Sequence, residues 1–174
     1  MLSTTRPSTD EFAAAYAGYI ARVADDEDIL TALTLQLDEV AARLGGIPER
    51  LGDHRYAPGK WTIKEVVGHL SDSERVFAYR ALRFARGDAT PLPSFDENRY
   101  VPAMEAGRLA LADLVDEWGQ VRRASLALFR HLPADAWERR GPASGQPVSV
   151  RALAYVIAGH VRHHLGVLEE RYLR

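Results

Sequence analysis

The chain has 174 residues, 47% of them hydrophobic and 26% charged, with a formal net charge of -2 and no cysteine. These values fit a soluble globular protein that folds as one domain over 1–174. They exclude disulfides, thiolate metal ligands and a protein-borne thiol nucleophile, and without a strong basic field they argue against a nucleic-acid partner.

The N-terminus, MLSTTRPSTDEF, lacks the apolar core of a signal peptide. No run approaches the roughly 20 apolar residues of a membrane span, so no membrane partner is expected and the cytoplasm is the default location. Residues 1–9 read as a flexible tail. Asp10 can cap a short extra helix over 11–23, with Phe12, Tyr16, Tyr19, Ile20 and Val23 on one side. A longer helix is expected from about Asp26, carrying Leu30, Leu33, Leu37, Val40 and Leu44 as its apolar stripe. Gly45 and Gly46 stop it, and Pro48 prevents its continuation.

After a connection through Trp61, Thr62 and Glu65 have the form of a capping box. The helix they open is predicted to end near Arg86. Ile63, Val66, Leu70, Phe77, Ala81 and Phe84 form its core face, with His69 at the edge of that stripe. Gly87–Pro102 reads as a long loop, a crossover or a functional cover. A third long helix is expected from Met104 to His131, then a polar link to Pro147. Ser149 then caps a last helix reaching Leu173. No strand pattern competes. The expected fold class is all-α: a four-helix bundle with a short extra N-terminal helix and long connections between helices.

The last helix carries the chemistry. His160 and His164 fall on its buried face, about 40° apart on a wheel of about 100° per residue. Two buried imidazoles are costly unless their ring nitrogens are satisfied, and a metal ion would do that. With no cysteine, the ligands must supply nitrogen or oxygen. His69 is the best third ligand from another helix. Three neutral imidazoles leave coordination positions open for water or substrate.

His163 offers a rival pairing with His160 but points to the edge of the stripe, and reads as a supporting or surface residue. His54 and His131 read as structural. Asp72 is the candidate catalytic residue, accepting a hydrogen bond from a ligand imidazole or acting as a general base; the competing reading is a solvated residue paired with Arg75. Glu74, Arg75 and Arg80 read as a charged outer face. Arg80 alternatively binds an anionic substrate if it points to the mouth of the site. Trp61, Trp118 and Trp137 read as packing residues.

Two segments together resemble the DinB-like family, the DinB/YfiT-like metalloenzymes. The first is Trp61 to Arg75, with the pattern W-x3-E-x3-HL-x-D, followed by Tyr79-Arg80 and by Leu92 to Asp96; the second is Ala158 to Leu165, with H-x3-H. The resemblance implies a four-helix bundle with a three-His site for a divalent metal, commonly in a homodimer. The ligands fall on His69, His160 and His164. Nickel or zinc is implied first, with iron or manganese as alternatives.

Characterised members of that family include transferases and isomerases that use low-molecular-weight thiols such as bacillithiol or mycothiol. The implied function is a metal-dependent thiol S-transferase in detoxification or stress response, acting on a small-molecule substrate. A related metal-dependent hydrolase would use Asp72 as its base. The alternative is a non-catalytic, stress-related metal-binding or structural bundle. Some relatives that attach sulfur to histidine betaine carry H-x3-H-x-E; Gly166 stands at that Glu position here, which argues against oxygen-dependent chemistry.

Overall fold

The computed structural model describes residues 5–174. Four long helices form the bundle: α2 (Ile29–Gly45), α3 (Ile63–Ala85), α5 (Leu111–Arg130) and α6 (Val150–Val167). Shorter helices are α1 (Ala17–Ile20) and α4 (Glu97–Met104). A hairpin of β1 (Arg140–Ala143) and β2 (Gln146–Ser149) leads into α6.

Local chemistry sets three of the four starts. Asp28 caps α2 by accepting from the Thr31 N–H at 2.8 Å. The Thr62–Glu65 capping box opens α3, with reciprocal bonds of 3.1 and 2.7 Å. Ser149 caps α6 by accepting from the Ala152 N–H. Such caps satisfy amides that have no partner within the helix. Helix α5 lacks a local cap, and Glu49 from a distant loop accepts from the Leu111 N–H at 2.8 Å.

Helices α2 and α3 each pack on both α5 and α6, so the order around the bundle is α2, α5, α3, α6. Cross-bonds fix the directions. Gln36 donates to Ala158 O and Arg43 pairs with Glu169, so α2 and α6 run parallel. Gln36 meets Arg122 while Thr34 meets Arg130, so α2 and α5 run antiparallel. Tyr172, just beyond α6, donates to Trp61 O at the start of α3, making α3 and α6 antiparallel. The order is therefore up, down, down, up. Residues 86–110 must return along the bundle between two parallel helices, which explains the length of that connection.

Several expectations need correction. The predicted N-terminal helix is instead short 3-10 turns and the single-turn α1. Ile20 and Val23 are nonetheless buried in the core. Of the expected tail, residues 1–4 lie outside the described residues, and Arg6 is fastened by donating to Ile20 O and Val23 O. The expected helix from Met104 begins only at Leu111, and α4 occupies part of the expected loop with Pro102 inside it. Pro102 has no N–H for the Asn98 carbonyl, but Asn98 is exposed and water can serve it. Left-handed Glu105 (φ 51°) ends α4.

The hairpin replaces part of the expected polar link. Its turn residues, Ser144 (φ 55°) and Gly145 (φ 75°), both have positive φ, as a type I′ turn requires. Helix α6 is not simply amphipathic: Ala152 to Val161 is buried throughout, because α1 covers the side away from α2 and α3. Glu74 does not belong to an outer face. It is 2% exposed and pairs through both oxygens, at 2.7 and 2.9 Å, with Arg122, which is 0% exposed. Arg122 also donates to Gln36 and to Leu33 O, joining α2, α3 and α5. Arg75 is exposed as expected and pairs with Glu117.

Candidate metal centre

Helices α3 and α6 bring His69, His160 and His164 together. Their donor nitrogens all lie within 4.8 Å of one another. His160 Nε2 is 3.1 Å from His69 Nε2 and 3.1 Å from His164 Nε2. A ring nitrogen carries either one proton or one lone pair, so His160 Nε2 cannot make two good linear hydrogen bonds at once. A cation at the point of convergence would satisfy all three lone pairs. Two nitrogens at about 2.0–2.1 Å from one tetrahedral ion sit about 3.3 Å apart, close to the spacing found. The residues present therefore fit a divalent metal.

Burial keeps these rings neutral and ready to donate. It pushes the His69 pKa down to about 4, partly opposed by the Glu97 carboxylate. Burial likewise holds His164 at about 3, with His69 and His163 adding repulsion, and lowers His160 well below its ordinary value. Ser73, one turn after His69, places its Oγ 3.3 Å from His69 Nδ1. Tyr19 sets its ring edge-on to His160, with centroids 5.2 Å apart.

Two cavities meet the cluster. One, of about 260 Å³, is lined by His69, His160, Ser73, Glu97, Tyr19 and Arg80, with Phe77 and Phe95 as apolar walls. The other, of about 350 Å³, is lined by His163, His164, Tyr56, Lys60, Trp61 and Asn98. His163 thus stands beside the cluster without joining its three nitrogens, and its ring packs against Tyr19 and His164. His54 and His131 are exposed and do not belong to the cluster.

Asp72 is half-buried and burial raises its pKa. Its carboxylate faces Arg75 at 3.5 Å, on the side where Arg75 also reaches Glu117 of α5. Asp72 does not line the first cavity; the carboxylate there is Glu97, the first residue of α4. Arg80 is 2% exposed and lines that cavity, so the outer-face reading fails and its side chain points inward. Sequence reasoning missed Glu97, Ser73, Tyr19 and Ser144. Ser73, at i+4 from His69, was the one within reach of a helical wheel.

No curated protein matches the sequence. Among solved structures, YfiT from Bacillus subtilis is similar, with a TM-score of 0.77 at 14% identity over 95% of this chain and 91% of that one. It is described as a probable metal-dependent hydrolase with an unusual four-helix bundle topology. A mycothiol-dependent maleylpyruvate isomerase is similar with a TM-score of 0.66 at 18% identity, and the match covers 79% of this chain but only 58% of that one. At these identities the likeness concerns the fold. The model of the DinB superfamily matches residues 32–168, from early in α2 to just past α6, and this chain belongs to that superfamily.

Proposed function

We propose that His69, His160 and His164 hold one divalent cation, nickel or zinc first, and that the protein is a metal-dependent transferase using a low-molecular-weight thiol. The observation that carries this reading is the position of the cluster between two cavities. His69 and His160 face one, and His164 faces the other. Two chambers opening on one centre suit two reactants, a thiol and its electrophile, better than one hydrolytic substrate. The 58% coverage of the thiol-dependent isomerase leaves that whole enzyme's reaction with the isomerase.

Bound at three neutral imidazoles, a divalent ion would supply the positive charge that favours a small thiol in its deprotonated, nucleophilic form near neutral pH. The chain's own groups do the rest. Glu97 is the carboxylate that lines the first cavity and acts on His69, so its carboxylate oxygens take the thiol proton; the base role suggested for Asp72 passes to it. Ser73 steadies the His69 ring. Phe77 and Phe95 keep water from the reacting centre.

The test begins with elemental analysis of protein purified without a histidine tag. One equivalent of metal is expected in the parent protein, with loss in His69→Ala, His160→Ala and His164→Ala. Mycothiol and bacillithiol are then assayed for conjugation to an electrophile, with and without the metal. Turnover of esters or amides alone would reject the transferase in favour of a hydrolase. Full metal content in His164→Ala would reject the ligand set.

A further inference from the structure

Two arginines are buried in this protein, and they are treated differently. Arg122 is neutralised by the bidentate Glu74 carboxylate. Arg80, equally buried, has no carboxylate within ion-pair distance among the described residues. Its guanidinium donates to three neutral oxygens: Tyr16 Oη at 3.2 Å, Pro93 O at 2.8 Å and Ser144 Oγ at 3.1 Å. Those bonds use three of its five N–H groups. A buried cation without a counter-charge is costly, and a fold that keeps one at a cavity wall points to an anion supplied from outside.

The surroundings add direction. Tyr16 and Ser144 both line the same cavity and both accept from Arg80, so each hydroxyl keeps its own proton free to donate. Guanidinium and two hydroxyls therefore form a cluster of donors at one end. Ser144 is there because the tight β1–β2 turn carries it over the cavity. At the other end lie His69, His160 and Glu97. The negative charge of Glu97 acts on His69 and Tyr19, which biases an anionic group toward Arg80. The walls between are the rings of Phe77 and Phe95, each about 6 Å from the guanidinium carbon.

We infer that the 260 Å³ cavity binds a small carboxylate-bearing substrate, its carboxylate seated on Arg80 with Tyr16 and Ser144, and its reacting end turned to the three histidines. A planar carboxylate matches the guanidinium fork and carries the single charge that one arginine can neutralise. The inference shares its cavity with the proposed function, but the anion seat itself does not depend on the metal.

Benzoate and its neutral isostere benzamide separate charge from shape. Their affinities are measured by titration calorimetry against the purified full-length protein, Arg80→Met, the double variant Tyr16→Phe/Ser144→Ala, and His164→Ala. His164 does not line this cavity, so its loss tests the metal reading alone. The parent protein is expected to prefer benzoate by at least about tenfold, a difference typical of a charge-assisted bond. Arg80→Met loses the preference, and the double variant, which keeps the buried cation, reduces it severalfold. His164→Ala retains it, with or without bound metal. Equal affinity for the two probes in the parent protein, including no measurable binding of either, overturns the inference. So does a preference that survives Arg80→Met. Loss of the preference in His164→Ala alone would assign it to the metal and overturn the seat on Arg80.

Discussion

Gly159, immediately before His160, is the point where the N-terminal segment crosses α6. A methyl group added there would lie 1.9 Å from Tyr19 O and 2.5 Å from Tyr19 C. Ordinary contact starts at 3.4 Å, so 3.4 − 1.9 = 1.5 Å of movement is needed. The obstacle is backbone, and it is tied down. Tyr19 O accepts from Arg22 N at 2.9 Å, and Arg6 clamps the carbonyls of Ile20 and Val23 just after the crossing. Movement would partly uncover Ile20 and Val23, each worth about 1.5–3 kcal/mol when fully buried. Losing half of that burial outweighs the gain of about 1 kcal/mol from removing a helical glycine, leaving Gly159→Ala about 0.5–2 kcal/mol less stable. Gly166 on the same helix has nothing within 4 Å of such a methyl. Gly166→Ala should therefore gain up to about 1 kcal/mol, putting the two variants about 1.5–3 kcal/mol apart. Urea unfolding followed by circular dichroism, at matched m-values, reads this directly. Equal stabilisation by both substitutions would refute the close crossing of Tyr19 over α6.

Three further outcomes follow from named contacts. Glu74→Gln strands the Arg122 charge in the core and should cost about 3–5 kcal/mol, whereas Glu74→Leu with Arg122→Met should recover most of it, both read by denaturant midpoints. Glu11 is buried, which alone would raise its pKa, but bonds from Arg151, Ser149 and Ser8 prevail and hold it at about 2 against an ordinary 4.5. Because the folded value is depressed, its stabilisation of about 3 kcal/mol is present above pH 4.5 and lost as pH falls toward 2. In Glu11→Gln, stability at neutral pH drops by that order and changes less between pH 5 and 2. Glu97→Gln should keep the metal and lower thiol-conjugation turnover by roughly 10²-fold or more, while Asp72→Asn leaves turnover within a few-fold; the reverse ranking would return the base role to Asp72.

The readable parts of this chain were those governed by neighbours in sequence. Thr62 with Glu65, and Ser149, announced helix starts because a cap acts over three residues. His160 and His164 were legible because one helical turn stacks them, and the pairing with His69 followed from the scarcity of other inward imidazoles. The misreadings of charged residues have one physical source. Glu74 and Arg80 look like surface charge on a wheel, and only Arg122 from α5 and the oxygens of Tyr16, Pro93 and Ser144 make their burial tolerable. Those partners lie 13 to 64 residues away, beyond any local period.

The same division separates the proposed ligands from the groups proposed to serve them. All three histidines stand on α3 and α6, where packing fixes each ring. Glu97, Ser144 and Tyr19 come from the crossover, the hairpin turn and the N-terminal segment. The crossover exists because α3 and α5 run the same way, so the chain must travel back along the bundle. In doing so it carries Glu97 and Phe95 past the mouth between α3 and α6. A simple up-down-up-down bundle would join α3 to α5 by a short turn and leave that mouth uncovered. The parallel pair thus links topology to chemistry: it is the reason a helical scaffold of this size has a walled cavity at its histidines. It also means that changes in the 87–110 connection should alter substrate choice while the three-histidine centre stays in place.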